Sequence, residues 1–349
     1  TKQFKYPGIQ SCAGDGLCST SCPMQINTGE MIHDLRAQAL PKGSAGYKAG
    51  DFAANHLSAV KSALRPVLSA AGAAHAVIGD KATDAVGRGL SKLGMPMWSS
   101  AFPLAYYPHA IKTQPSELKV VYFPSCINQT MGKSKGQSTP LIDKMVALME
   151  KAGYEVIFPK NMKNLCCGTI WESKGMPDIA DRKAKELDDA LFEASDGGRY
   201  PVLCDQSPCL HRMRNTIKRV KLYEPVEFIY EYLAPHLRFV QTDEPVALHF
   251  TCSTRHMNLN DMFVALAGMC TTKVVVPEEV GCCGFAGDKG FTDPEVNRYA
   301  LRKLRKQLEA SGVKRGFSNS RTCEIGLTVN GGVPYQSIAY LVDECTIKK

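Results

Sequence analysis

Two copies of one tripeptide, Cys166-Cys167-Gly168 and Cys282-Cys283-Gly284, hold the residues best suited to chemistry in this chain. At this composition chance supplies only about 0.05 such triplets. Each copy sits in a matched frame. A cysteine closes an apolar run (VVYFPSC at Cys126, VALHFTC at Cys252), the triplet begins 40 or 30 positions later, and a lone cysteine, Cys209 or Cys323, follows the second cysteine of the triplet by 42 or 40 positions. Both first cysteines read C-x4-M, to Met131 and Met257. Four thiolates per frame suit a metal centre, because soft sulfur ligands select iron–sulfur clusters or zinc. Vicinal side chains diverge in extended backbone, so they chelate one ion poorly, whereas a multi-iron cluster spreads its ligand positions. A tetrahedral zinc site and empty thiols stay open as alternatives.

A third group lies near the start, in SCAGDGLCSTSCP. The bacterial ferredoxin run is C-x2-C-x2-C-x3-C-P. Cys12, Cys18 and Cys22-Pro23 fit it, and Asp15 stands where the second cysteine belongs. A carboxylate there ligates iron more weakly than a thiolate, or leaves the corner open. Outside these groups, Cys204 could add a ligand to the first frame, while Cys270 and Cys345 read as buried small hydrophobes. Lys174 and Lys289 follow the two triplets and could offset the negative charge of a bound cluster, or simply face solvent. His249 and His256 flank Cys252; each could donate to sulfur, ligate, or serve structure.

The elements that must position these groups follow from periodicity. LKVVYFP, YEVIFP and YPVLCD read as strands separated by helical patterns, and VALHF, KVVVPE and VKRGFSNS repeat the alternation. The expected fold class is therefore α/β: a helical, ferredoxin-like N-terminal segment at 1–117, then two duplicated β-α-β repeats with parallel sheets at 118–240 and 241–349. The cysteines fall at or after strand ends, the edge where open α/β sheets place their sites. Asn27 or Thr28 should cap a helix running through GEMIHDLRAQAL. The Ala-, Gly- and Ser-rich stretch 43–116 predicts packed helices interrupted at Pro66, with 96–108 as an ordered linker. PEVNRYALRKLRKQLEAS predicts one long helix.

Composition narrows the function class. The chain has 349 residues, 44% apolar and 22% charged, as an ordinary globular protein does. It shows no export signal, and about 4% cysteine is sparse for a disulfide scaffold, which favours metal ligation in a reducing compartment. No uninterrupted apolar run reaches about 18 residues, so no transmembrane helix is expected. The net charge of +8 is scattered apart from RNTIKRVK at 214–221, which argues against nucleic-acid binding and leaves room for contact with an anionic membrane surface. There is no G-x-G-x-x-G loop after a strand, P-loop or G-x-S-x-G elbow. Beginning at Thr1, the sequence is expected to be a piece of a longer polypeptide.

The two frames resemble the cysteine-rich domain that heterodisulfide reductase shares with the iron–sulfur subunits of glycolate oxidase and anaerobic glycerol-3-phosphate dehydrogenase. CAGDGLCSTSCPMQINTG, LCCGTIWESKG, VPEEVGCCGFAGDKGF, SNSRTCEIGL and YLVDEC are most similar to the iron–sulfur half of FAD-dependent D-lactate dehydrogenases. That resemblance implies a cytoplasmic protein, or one peripheral to the inner face of the membrane, carrying [4Fe-4S] clusters. It implies FAD on a preceding domain that oxidises a D-2-hydroxy acid, and a quinone or cytochrome as electron acceptor. Heterodisulfide reductase repeats usually end in C-x-x-C; Cys323-Glu324-Ile325-Gly326 and the lone Cys209 depart from that pattern. A thiol–disulfide reductase subunit and a zinc-bound or metal-free docking scaffold remain the alternatives.

Overall fold

The computed structural model of the chain describes residues 4–92, 98–134 and 136–349. Two four-stranded sheets, each wholly parallel, form its framework. The first joins β1 (Lys119–Phe123), β2 (Glu155–Ile157), β3 (Val202–Cys204) and β4 (Leu222–Tyr223) in the order β2-β1-β3-β4. After β5 (Leu237–Phe239), the second joins β6 (Val246–Leu248), β7 (Val274–Val275), β8 (Arg315–Phe317) and β9 (Tyr335–Gln336) in the order β7-β6-β8-β9. The two orders are the same, so the duplication read from the cysteines is a duplication of topology, and the α/β class holds. β10 (Thr346–Lys348), at the end of the second repeat, pairs antiparallel with β5 at the end of the first, Thr346 opposite Phe239.

Successive side chains of a strand face opposite sides of its sheet, and parallel sheets are covered on both faces. In β1, Val120 and Tyr122 enter one core while Val121 and Phe123 enter another. The outer core of the first repeat lies beneath the helix Pro177–Ala194, and that of the second beneath Leu304–Ala310. The inner core belongs to both repeats. Helices Leu141–Lys151, Pro225–Phe228, Asn260–Cys270 and Ile338–Glu344 form one layer between the sheets. The last helix of the second repeat packs on the first helix of the first repeat, and Pro225–Phe228 packs on Asn260–Cys270. Asp343 accepts from Lys144 at 2.6 Å and Lys151 at 2.5 Å across that contact.

Asn27 caps the helix Thr28–Ala39, accepting from the Gly29 amide at 3.0 Å. Two helical expectations need correction. Pro66 lies inside the helix Leu57–Lys92 without ending it; the break falls at Gly79 (φ +77°, ψ 172°). A proline removes one intrahelical hydrogen bond, whereas a residue in that left-handed region leaves the helix altogether, and glycine enters it freely. The long helix expected after the second triplet is two, Pro294–Ala300 and Leu304–Ala310, divided by a turn at 301–303 that no Gly or Pro marks. Of the expected linker 96–108, positions 96 and 97 lie outside the described residues. The remainder is fixed by Tyr106 N–H donating to the Thr130 carbonyl at 2.8 Å and by Leu104 bridging Lys133.

Candidate metal centres

In a parallel sheet of order 2-1-3-4 the chain turns opposite ways after strands 1 and 3, which opens a crevice at their carboxyl ends. Cys126 follows β1 and Cys209 follows β3; Cys252 follows β6 and Cys323 follows β8. The triplets arrive from the β2 and β7 sides. Each triplet glycine adopts a left-handed backbone, φ +90° at Gly168 and +71° at Gly284. A Cβ at Gly168 would collide with the Ala180 carbonyl, and one at Gly284 would lie 2.8 Å from Ala300 Cβ. The third residue of the motif is glycine because the following helix presses against it.

In repeat one, Cys126 Sγ lies 3.9 Å from Cys166 Sγ, and thiol contacts from Cys166 to Cys167 and from Cys167 to Cys209 continue the chain. A hydrogen bond from Cys166 lowers the Cys126 pKa against its burial, and Lys61 lowers it further. Cys209 is pushed up by its bond to Cys167 and by burial, although its place in the first turn of the helix Ser207–Thr216 favours the thiolate. The buried Lys61 Nζ donates to Gln129 Oε1 at 2.7 Å; burial lowers its pKa to about 8 while the thiols of Cys126 and Cys166 pull it upward. Arg212 Nε holds the Cys167 carbonyl at 2.9 Å, and the same guanidinium pairs with Asp181 at 2.9 Å and with Glu172.

Repeat two places Cys283 Sγ 3.0 Å from Cys323 Sγ, with Cys252 and Cys282 in thiol contact beside them. The Cys283 carbonyl is held here by Asn297 Nδ2 at 2.6 Å. Asn297 occupies the position of Asp181, and Gly326 that of Arg212; a Cβ on Gly326 would lie 2.5 Å from Asn297 Nδ2. Asp15, from the N-terminal segment, completes the surroundings. Cys252 Sγ donates to its Oδ2 at 3.2 Å, and a carboxylate oxygen of Asp15 and the sulfurs of Cys252 and Cys282 all lie within 4.8 Å of one another. The Cys252 pKa is raised well above the ordinary thiol value by its bond to Cys282, then by burial and by the charges of Cys282 and Asp15.

The ferredoxin-like run is laid out differently from its sequence pattern. Among the described residues Asp15 groups with Cys252 and Cys282 rather than with Cys12, Cys18 or Cys22. Cys12 Sγ accepts from Gly14 N–H at 3.4 Å. Cys18 Sγ is exposed and accepts from Thr28 Oγ1 at 3.1 Å, which lowers its pKa. Cys22 is half-buried at the end of the short helix Cys18–Ser21. Cys204 is fully buried on β3, with its Sγ 3.9 Å from the Gln206 carbonyl. Cys270 and Cys345 are buried, as expected of small hydrophobes.

The lysines and histidines near the triplets meet oxygens. Lys174 pairs with Asp288 across the repeats, and Lys289 donates to the Gln10 carbonyl. His249 contacts Ser318 Oγ at 3.3 Å and the Gly281 carbonyl at 3.1 Å, and His256 Nε2 donates to the Asp15 carbonyl at 2.7 Å. Arg214 and Arg219 of the basic run pair with Glu227, Asp188 and Asp189.

Among the polar contacts that cross the seam between the sites, two stand at equivalent positions of the repeats. Asn128, two residues after Cys126, accepts from Arg321 Nε at 3.0 Å, two residues before Cys323; Arg321 also pairs with Glu324 at 2.6 Å. At the equivalent positions, Thr254 Oγ1 meets Ser207 Oγ at 3.5 Å. Lys61, Arg212 and Arg321 were not marked by sequence reasoning. In helical or loop sequence each looks like a solvated charge; the only hint for Arg321 is its place two residues before a candidate ligand.

The family model described as CCG: Cysteine-rich domain matches residues 120–214 and 246–328, together about half of the chain. The chain belongs to this cysteine-rich CCG family. Its two copies span the first three strands of each parallel sheet and both cysteine sets. Among curated proteins, "Lactate utilization protein A 1" of Bacillus mycoides is 22% identical over 248 residues, 65% of this chain and 97% of that protein. Among solved structures, an aspartate racemase homologue from Pyrococcus horikoshii aligns at 13% identity and TM-score 0.25, over 65% of this chain and 96% of its own. The aspartate racemase of Picrophilus torridus aligns at 7% and 0.29, over 66% and 91%. Scores this low carry no argument.

The donor sets of the CCG repeats suit iron–sulfur clusters, which take ligands spread over several irons: four thiols in each repeat follow one another in successive contacts, three of the four buried in repeat one, with a buried ammonium nearby. Cys126, Cys166, Cys167 and Cys209 would hold one group, and Cys252, Cys282, Cys283 and Cys323 the other.

Proposed function

We propose that the chain is the iron–sulfur electron-transfer portion of a lactate-oxidising system, and more specifically of an FAD-dependent D-lactate (D-2-hydroxy acid) dehydrogenase. The observation that supports it best is the presence of four thiols at each of two equivalent sheet crevices, joined by hydrogen-bonded bridges. The lactate-utilisation relative supplies the substrate class and the sequence resemblance supplies the flavin. Bound clusters would take up and release single electrons, splitting the two-electron oxidation of a flavin into steps.

The chain's own residues have defined parts in this reading. The CCG glycines set the turn that aims the paired thiols. Arg212 and Asn297 fix the peptide that joins the second cysteine of each triplet to its glycine, by the cysteine carbonyl. Lys61 places a positive charge beside Cys126 and Cys166, which favours the reduced, more negative state of that centre. The seam bridges hold the two crevices at fixed separation. The partners in this reading are a flavin domain and a quinone or cytochrome acceptor, with the chain lying in the cytoplasm or against the inner face of the membrane. No helix among the described residues is long and apolar enough to cross one.

The test is iron, sulfide and zinc content after anaerobic purification, with EPR of the reduced protein. About eight irons per chain is expected, two clusters of four. Zinc, or no metal, sinks the relay reading. D-lactate-dependent dye reduction by cell extracts should disappear when the chain is deleted; if it persists, the substrate assignment fails.

A further inference from the structure

The position of Asp15 is not explained by the run of residues it belongs to. By spacing it stands in for the second cysteine of a ferredoxin-type motif, yet its carboxylate lies against thiols 237 and more positions downstream. It is held there from several sides. Its Oδ1 accepts from Leu17 N–H at 3.2 Å, which leaves Oδ2 for Cys252. His256 Nε2 grips its carbonyl at 2.7 Å, and that imidazole stacks on His211 at 5.4 Å. Upstream, the buried Arg36 ties the Ile9 and Cys12 carbonyls to the Ser173 carbonyl at 2.7–3.0 Å, and Lys289 ties Gln10. A loop anchored this thoroughly presents its carboxylate in one place, as a ligand position requires.

We propose that Asp15 is a metal ligand of the repeat-two centre. Its carboxylate supplies an oxygen donor to an iron that also faces Cys252 and Cys282. The inference rests on the cluster reading above and deepens it: the repeat-two centre is assembled from both ends of the chain and has a mixed sulfur and oxygen donor set. The corresponding face of repeat one meets the Lys61 ammonium. The centres therefore differ in ligand chemistry and in the sign of the charge at matching positions. A carboxylate is a harder donor than a thiolate and adds negative charge, so the repeat-two centre is the harder of the two to reduce.

The experiment uses the full chain, purified anaerobically after growth on iron-57, with Mössbauer spectra and iron counts for the wild type, Asp15→Asn, Asp15→Cys and His256→Gln. About one iron per chain should show the larger isomer shift of an oxygen-ligated site. Asp15→Asn should abolish that component or lose that iron. Asp15→Cys should keep the iron count and convert the component to the thiolate type, which separates ligation from folding. His256→Gln should diminish the component in proportion to the loosened loop. Wild-type and Asp15→Asn proteins with equal iron and identical spectra overturn the Asp15 assignment while leaving the cluster reading intact. An iron-free wild type overturns both. Iron content unchanged by Cys282→Ser/Cys283→Ser overturns the placement of the centre in repeat two, and Asp15 with it.

Discussion

The two CCG repeats share strand order, thiol positions and the left-handed glycine of the triplet, yet their crevices are furnished differently. In repeat one the peptide between the second cysteine and the glycine of the triplet is held by a charged unit, Arg212 with Asp181, and a buried lysine stands beside the first thiols. In repeat two a neutral amide, Asn297, does the holding, Gly326 clears the space it needs, and a carboxylate stands beside the first thiols. Across the seam the asymmetry reverses: the bridge next to Cys323 is an ion-paired arginine, and the one next to Cys209 is a serine. Duplication has conserved the backbone that aims the ligands and left the charges around them free to diverge. Clusters bound in two crevices built from one plan would thus sit at different potentials.

The largest effect is expected at the charged bridge. Arg321→Ser installs the repeat-one residue at the equivalent place and leaves Glu324 buried without its partner. A loss of about 3–5 kcal/mol in urea unfolding at pH 8 is expected. Burial raises the Glu324 pKa to about 7 even with Arg321 present, so its carboxyl can be neutralised and the loss should shrink at pH 6. A loss below about 1 kcal/mol would show the bridge to be dispensable.

The triplet glycines come next. Gly168→Ala and Gly284→Ala each force an alanine into a left-handed backbone, at about 1–3 kcal/mol. Gly168→Ala should be the worse, because its Cβ would press closer on the Ala180 carbonyl oxygen than one at Gly284 would on its nearest atoms, Ala300 Cβ and the Val296 carbonyl oxygen, which stand at 2.8 and 2.9 Å. Each variant should lose iron from its own repeat only. Loss from both repeats in either variant would mean that the centres do not form independently.

A pH contrast should appear between the caps of the two inner helices that close the repeats. Glu224 caps Pro225–Phe228 and Ser337 caps Ile338–Glu344. Burial lifts Glu224 to about 7, against hydrogen bonds from Val226, Asn319 and Ser207 that lower it. A carboxyl with a raised folded-state pKa binds its proton more tightly when folded. Stability from this group is full below the unfolded value of about 4.5 and declines as pH rises toward about 7, by about 3 kcal/mol, with no further change above. Glu224→Gln should flatten that decline and Ser337→Ala should not. Equal pH profiles for the wild type and Glu224→Gln would refute it.

Smallest is the effect of Lys61→Gln. Removing the cation should lower the reduction potential of the repeat-one centre, on the order of 1 kcal/mol per electron, and bring it closer to that of repeat two. Redox titration followed by EPR would show a narrowed gap; a widened one would reverse the assigned polarity.

How far these features could be read in advance depends on the range of the interaction behind each. Strand ends, cysteine frames and the α/β class were legible because apolar runs and turn residues are local. Gly79 and the split at 301–303 were not, since a proline at 66 is the stronger local signal and ALRKLRK carries none. Two-residue strands such as β4 and β9 are too short for periodicity to register. Lys61 and Arg321 looked like surface charges until folding buried them. Asp15 was legible as a donor, but spacing assigned it to its neighbours in the run, and only the tertiary fold takes it to Cys252.

The helical layer shared by the two sheets carries a statement about ancestry. Ile338–Glu344 packs on Leu141–Lys151, Pro225–Phe228 packs on Asn260–Cys270, and β10 closes on β5. Each half covers the other's oily face reciprocally, as an isologous two-fold interface does. A forebear with a single repeat would have left that face bare, and a second copy of itself would cover it by these same contacts. Gene fusion would then have turned a homodimer into one polypeptide, and only after that could the two halves acquire different neighbours for their thiols.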